Sequence, residues 1–147
     1  MKAEIEHITL NILLADDDSD DCFFFEKVLQ EISITTQLKI VRDGEELMKY
    51  LLENSEDLPD VLFLDLSMPR KTGFECLTEI KENDKLKDLR VIMLSTSFPR
   101  DNKYEQDIIK MLYTLGAEDY IRKPSDYTKL KEVIHNALLK MIEKDVA

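Results

Sequence analysis

Apolar runs of four or five residues recur along the chain, and each ends in polar side chains that carry chemistry. Ile12-Leu13-Leu14-Ala15 stops at Asp16-Asp17-Asp18, and Val61-Leu62-Phe63-Leu64 stops at Asp65. Val91-Ile92-Met93-Leu94 leads into Ser95-Thr96-Ser97, and Tyr120-Ile121-Arg122 into Lys123-Pro124. Short apolar runs bounded by turn residues read as buried strands of a parallel sheet. The strand candidates are Thr9 to Ala15, Gln37 to Val41, Val61 to Asp65, Arg90 to Ser95 and Glu118 to Arg122.

Between these runs the period changes from two to about 3.6. Ser19 is a candidate cap for a helix carrying Phe24, Phe25, Val28, Leu29 and Ile32, with Asp20 and Asp21 suited to its positive end. A second helix runs from Gly44 to Leu52, Gly73 opens a third, and a fourth spans about Lys103 to Leu115 before Gly116. Tyr127 to Lys144 is the clearest, because Leu130, Val133, Ile134, Ala137, Leu138, Met141 and Ile142 keep one face. Strands alternating with helices predict an α/β fold, a five-stranded parallel sheet with helices on both faces. Such sheets bind ligands beyond the carboxyl ends of their strands. In Phe23-Phe24-Phe25 the helical period predicts core packing, with one ring of the three partly exposed.

The chain has 147 residues, which fits one domain with a core over about residues 9–142 and no attached output module. A formal charge of -11 excludes a nucleic-acid or anionic-membrane surface as the expected partner. Cys22 and Cys76 are too few for a disulfide framework and lack metal-ligand spacing. The first seven residues alternate charged and apolar positions, so neither a signal peptide nor a membrane span is expected, and the expected location is cytoplasmic.

One sheet edge therefore collects carboxylates, hydroxyls and a lysine. A phosphoryl acceptor needs that set: a carboxylate nucleophile, a metal to neutralise phosphoryl oxygens, a hydroxyl donor and a cation. Crowded carboxylates with oxygen-only donors suit Mg²⁺. Singly, each residue has a duller reading, since Asp16 or Asp17 serves as a helix cap, Asp65 as a turn opener and Lys123 as a solvated charge. Asp16, Asp18 and Asp20 also mimic the start of a calcium loop, but Asp21 stands where that loop needs glycine and Lys27 where it needs glutamate.

Taken together, these strand-end motifs resemble the response-regulator receiver domains of two-component signalling, over about Thr9 to Ile142. The resemblance implies a flavodoxin-like, doubly wound sheet of order 2-1-3-4-5. It implies that Asp65 accepts a phosphoryl group from a sensor histidine kinase and that Asp17 and Asp65 bind Mg²⁺ directly. Asp16 then acts through a metal-bound water, and the Ser67 main-chain carbonyl supplies a further ligand. Lys123 pairs with a phosphoryl oxygen, and the Lys123–Pro124 peptide is cis. Ser95 and Tyr120 match the switch pair, whose exchange remodels the surface of the fourth helix, fifth strand and fifth helix where a downstream protein binds. The acid run from Asp16 to Asp21 and the long loop after Ser95 are also similar to single-domain receivers that serve phytochrome-type kinases.

The resemblance leaves open a shuttle that passes the phosphoryl group to a histidine phosphotransfer protein, and a homodimer. It implies self-phosphorylation and self-dephosphorylation chemistry and not an enzyme acting on external substrates. A Mg²⁺-dependent phosphohydrolase would need an acid two residues after the nucleophile, where this chain has Ser67. A degenerate receiver that binds partners without phosphorylation would lack a motif residue, and none is missing. The excess length falls in the loop 97–106, where Phe98 or Tyr104 is a candidate shield for an aspartyl phosphate. With serine at 67 and 97, neither position offers an acid or amide to orient an attacking water, so a long-lived phosphoryl group is expected. His7 and His135 have no expected role in the chemistry.

Overall fold

Alternation of side chains along each central strand produces two cores, one on each face of a single sheet. The computed structural model describes residues 9–96 and 102–146. Among these residues five strands alternate with five helices: β1 (Leu10–Ala15), α1 (Ser19–Glu31), β2 (Thr36–Val41), α2 (Gly44–Glu53), β3 (Val61–Asp65), α3 (Gly73–Glu82), β4 (Val91–Ser95), α4 (Asn102–Leu115), β5 (Asp119–Arg122) and α5 (Tyr127–Val146). All strand pairs are parallel, in the order β2-β1-β3-β4-β5. The predicted α/β class, order and crossovers are therefore found.

Ile12, Leu14, Phe63, Ile92 and Leu94 face one core with Phe25, Val28 and Leu29 of α1 and Ile134, Leu138 and Met141 of α5. Leu13, Ala15, Leu62, Leu64 and Met93 face the other with Leu47, Leu51, Leu77, Ile80 and Leu112 of α2, α3 and α4. Every residue of β3 and β4 is buried, as expected for strands covered on both sides.

Helix starts are built by side chains. Asp18, rather than Ser19, caps α1 by accepting from the Asp21 amide, because its extended backbone aims the carboxylate at the first turn. Asp43 does the same for α2 through the Glu46 amide, and Thr72 with Glu75 forms a reciprocal capping box on α3. Gly116 ends α4 at φ 113°, a conformation that a side chain resists.

Only Phe25 of the three consecutive phenylalanines enters the core. Phe23 is 61% and Phe24 39% exposed, correcting the expectation of a single exposed ring. Cys22 takes the inward position in the first turn, so the buried stripe runs Cys22, Phe25, Val28, Leu29. Phe24 instead lies 6.0 Å from the Tyr127 ring and 5.4 Å from that of Phe23.

Candidate functional site

Register places the polar strand-end residues side by side. Ala15 pairs with Leu64, so Asp16 and Asp65 are the next residues on adjacent strands. Ser95 closes β4, level with Arg122, and the Lys123 amide donates to the Ser95 carbonyl at 2.8 Å. The parallel sheet thus carries Asp16, Asp65, Ser95 and Lys123 to one carboxyl-terminal edge, as the strand ends predict.

Asp65 is buried, and its Oδ1 accepts from the Ser67 amide at 3.2 Å, a turn that holds the carboxylate against its own strand. Asp16 is buried too, with Oδ1 accepting from the Asp18 amide at 3.0 Å and Oδ2 from Lys123 Nζ at 2.7 Å. Lys123 also donates to Asp21 Oδ2 at 2.8 Å and to Asp65 Oδ2 at 3.5 Å. Oxygens of Asp16, Asp17 and Asp65 lie within 4.8 Å of one another, with Asp17 exposed. The donor set is all hard oxygen and rich in negative charge, so it fits Mg²⁺. Both Asp16 oxygens have protein donors.

Burial pushes Asp65 up to about 7, a rise that Lys123 opposes and Asp16 reinforces. Burial disfavours the Lys123 charge, yet hydrogen bonds to Asp16 and Asp21 hold its pKa above the usual lysine range. A cavity of about 210 Å³ between α1 and α5, walled by Phe24, Phe25, Leu94 and Tyr127, opens beside this ammonium. Its apolar wall strengthens the electrostatics of the pair it borders.

Gly73 locks the loop after Asp65: its amide donates to the Leu66 carbonyl at 3.0 Å, and a Cβ there would lie 2.1 Å from the Asp65 carbonyl oxygen. In the same loop Arg70 takes φ 71°, held by ion pairs to Asp43 at 3.5 Å and Glu45 at 3.9 Å. These contacts tie the loop after Asp65 to the start of α2.

Ser95 and Tyr120 meet directly, Oγ to Oη at 2.6 Å. The Lys123–Pro124 peptide is trans, as are all described peptide bonds, correcting the expected cis bond. Trans is the preferred isomer by about 0.5–1 kcal/mol, and Lys123 reaches both buried aspartates from it. Ser97 and Phe98 lie outside the described residues, as does His7. Tyr104 is described, in the first turn of α4 and 54% exposed.

Three site residues escaped the sequence reading. Asp21 was read as a favourable charge at the helix start, yet it reaches Lys123; its signal was the acidic run itself, one turn beyond Asp17. Arg42 follows β2 directly and donates from Nη2 to the Asp17 carbonyl and to Ser19 Oγ, both at 2.9 Å, pinning the acidic loop. Glu105 accepts from Tyr120 Oη at 2.9 Å, and nothing in the local sequence marks it.

Comparison with known proteins agrees with this geometry. The family described as response regulator receiver domain matches residues 12–135. Response regulator Rcp1 of Synechocystis sp. is 32% identical over 127 residues, covering 84% of this chain and 82% of that protein. Chemotaxis protein CheY of Bacillus subtilis is 27% identical over 119 residues, covering 81% and 92%. The phosphorylated cyanobacterial phytochrome response regulator RcpA superposes with a TM-score of 0.76 at 31% identity, over 88% of this chain and 91% of that one. The Mn²⁺-bound form of Rcp1 gives 0.73 at 31% identity, over 86% and 90%. With this constellation at the carboxyl edge of its sheet and the family matching most of its length, this chain belongs to the response-regulator receiver domains of two-component signalling.

Proposed function

We propose that Asp65 accepts a phosphoryl group from a phosphohistidine of a sensor kinase and thereby switches a protein-binding surface. The carrying observation is the burial of Asp65 at the strand edge, 3.5 Å from Lys123 and clustered with Asp16 and Asp17. In the transfer a carboxylate oxygen of Asp65 attacks phosphorus, an oxygen–phosphorus bond forms and the phosphorus–nitrogen bond breaks. The electron pair leaves with the imidazole. Asp17, Asp65, Asp16 through a water and the Ser67 carbonyl would hold Mg²⁺, which when bound would supply charge neutralisation at the phosphoryl oxygens. Lys123 neutralises another phosphoryl oxygen, and Ser95 donates a hydrogen bond to one. Charge-assisted bonds of this kind are worth roughly 1.5–3 kcal/mol each. The solved relatives support the reading by their own states, one phosphorylated and one holding Mn²⁺.

The output surface is assigned to α4, β5 and α5. Met111 and Tyr113 of α4 stand exposed there, and a helix that displays large apolar side chains suits protein docking. Ser67 stands where a phosphohydrolase needs its second acid, which favours stoichiometric self-phosphorylation over turnover of external substrates. Cys22 and Cys76 are free, buried thiols whose pKa values burial raises to about 11 and about 12, and such unreactive thiols suit the reducing cytoplasm.

Incubation with Mg²⁺ and acetyl phosphate tests the acceptor. Intact mass is expected to rise by one phosphoryl group in the natural protein and to stay unchanged in Asp65→Asn. Equal labelling of both would place the acceptor elsewhere.

A further inference from the structure

The Ser95–Tyr120 pair does not stop at Tyr120. Its phenol also reaches Glu105 Oε2 at 2.9 Å, and Glu105 stands in the first turn of α4 with a side chain only 13% exposed. The other carboxylate oxygen lies 3.6 Å from Arg122 Nη1 at the end of β5. A continuous chain of polar contacts therefore runs from the hydroxyl beside the acceptor to the helix of the output surface.

Counting hydrogens fixes the direction of that chain. A carboxylate has no hydrogen to give and a phenol has one. Tyr120 stays a phenol, because burial and its bond to Glu105 push its pKa up to about 12 against the pull of Ser95. The phenolic hydrogen goes to Glu105, so within the 2.6 Å contact the Ser95 hydroxyl is the donor to Tyr120. This arrangement aims the Ser95 hydrogen away from Asp65. A phosphoryl group on Asp65 would require that same hydrogen.

We propose that Glu105 is a positioning residue that latches α4 to the acceptor site and is released when Ser95 turns its hydrogen to a phosphoryl oxygen. In the released state Ser95 Oγ accepts the Tyr120 hydrogen, and Glu105 keeps Arg122 among the described residues, and solvent. No covalent bond to hydrogen breaks, and every hydrogen keeps an acceptor. One charge-assisted bond, phenol to carboxylate, gives way to another, hydroxyl to phosphoryl, which keeps the two states close in free energy as a switch requires. The proposal rests on the acceptor reading of Asp65 and adds the side chain through which α4 senses it.

Hydrogen exchange of the α4 amides tests this in the full chain, read by mass spectrometry before and after treatment with acetyl phosphate and Mg²⁺. In the natural protein, phosphorylation is expected to speed α4 exchange roughly fivefold or more, the lower end of ordinary coupling between sites. Glu105→Ala is expected to exchange at the faster rate without phosphorylation and to gain little on treatment. Glu105→Gln, which retains an acceptor for the phenol, is expected to restore protection before treatment. Unchanged protection of α4 in untreated Glu105→Ala, or an equal acceleration on phosphorylation in that variant, would overturn the latch. A natural protein that gains no phosphoryl mass would overturn the acceptor reading and the sensing role with it, a result visible in the intact mass alone.

Discussion

A buried aspartate with a pKa near 7 makes the fold's stability depend on pH in an unusual direction. Most paired carboxylates stabilise a fold above their pKa, but Asp65 is raised from 3.8, so the native state holds its proton more tightly than the unfolded chain. Its stabilising contribution is present below about pH 4 and is lost as pH rises to about 7. Without divalent metal, Asp65→Asn is therefore expected to gain stability over the natural protein between pH 4 and 8, by roughly 2–4 kcal/mol at the upper end. Urea unfolding at several pH values reads this directly, and parallel curves for the two proteins would rule it out. On the proposed function the same burial would favour the transfer, because a carboxylate short of solvent is a better nucleophile for phosphorus once a cation neutralises its surroundings. Asp65, Lys123, Ser95 and Asp17 were legible as site residues because each sits at or just beyond a strand end. Asp21 and Glu105 were not, since a polar residue on a helix reads as solvated until the neighbouring element is known.

At the level of elements, the loop between β3 and α3 is tightly constrained. Gly73 sits under the Asp65 carbonyl, and Thr72 with Glu75 closes the helix start, so the chain reverses soon after Asp65. Gly73→Ala would drive a Cβ to within 2.1 Å of that carbonyl, a backbone atom that cannot step aside. The variant is expected to lose roughly 2–4 kcal/mol of stability and to shift the Asp65 backbone enough to slow acetyl-phosphate labelling. Chemical unfolding and the labelling rate would be measured together, and a variant with natural values for both would contradict the packing argument. Helix faces were mostly legible, as in α5, where the buried set Ile134, Ala137, Leu138, Met141 and Ile142 follows the period. Phe24 was the exception: α1 rotates Cys22 inward, which turns the bulkier neighbour toward Tyr127 and solvent.

For the whole molecule, the net charge of -11 and the crowding of acids at one edge predict that Mg²⁺ stabilises the native state, because the unfolded chain has no assembled site. A hundredfold excess over the dissociation constant is worth about 2.7 kcal/mol, which corresponds to a rise in Tm of roughly 5–10 °C for a domain of this size. Thermal unfolding with millimolar Mg²⁺ checks it, with Asp17→Asn expected to lose most of the shift; an equal shift in both proteins would mean that the metal binds elsewhere. The sequence by itself determined the alternation of strands and helices, the two-faced sheet and the identity of the residues at its carboxyl edge. Those follow from local periodicity and from the rule that a strand buried on both faces places its first polar residue at its end. The structure also showed which residue caps α1 and which isomer precedes Pro124, while tertiary structure alone decided how Lys123 is shared among three carboxylates and where the Tyr120 hydroxyl points. The last two depend on distances of about 3 Å between groups far apart in sequence, and such distances exist only after β1, β3, β4 and β5 have set their register.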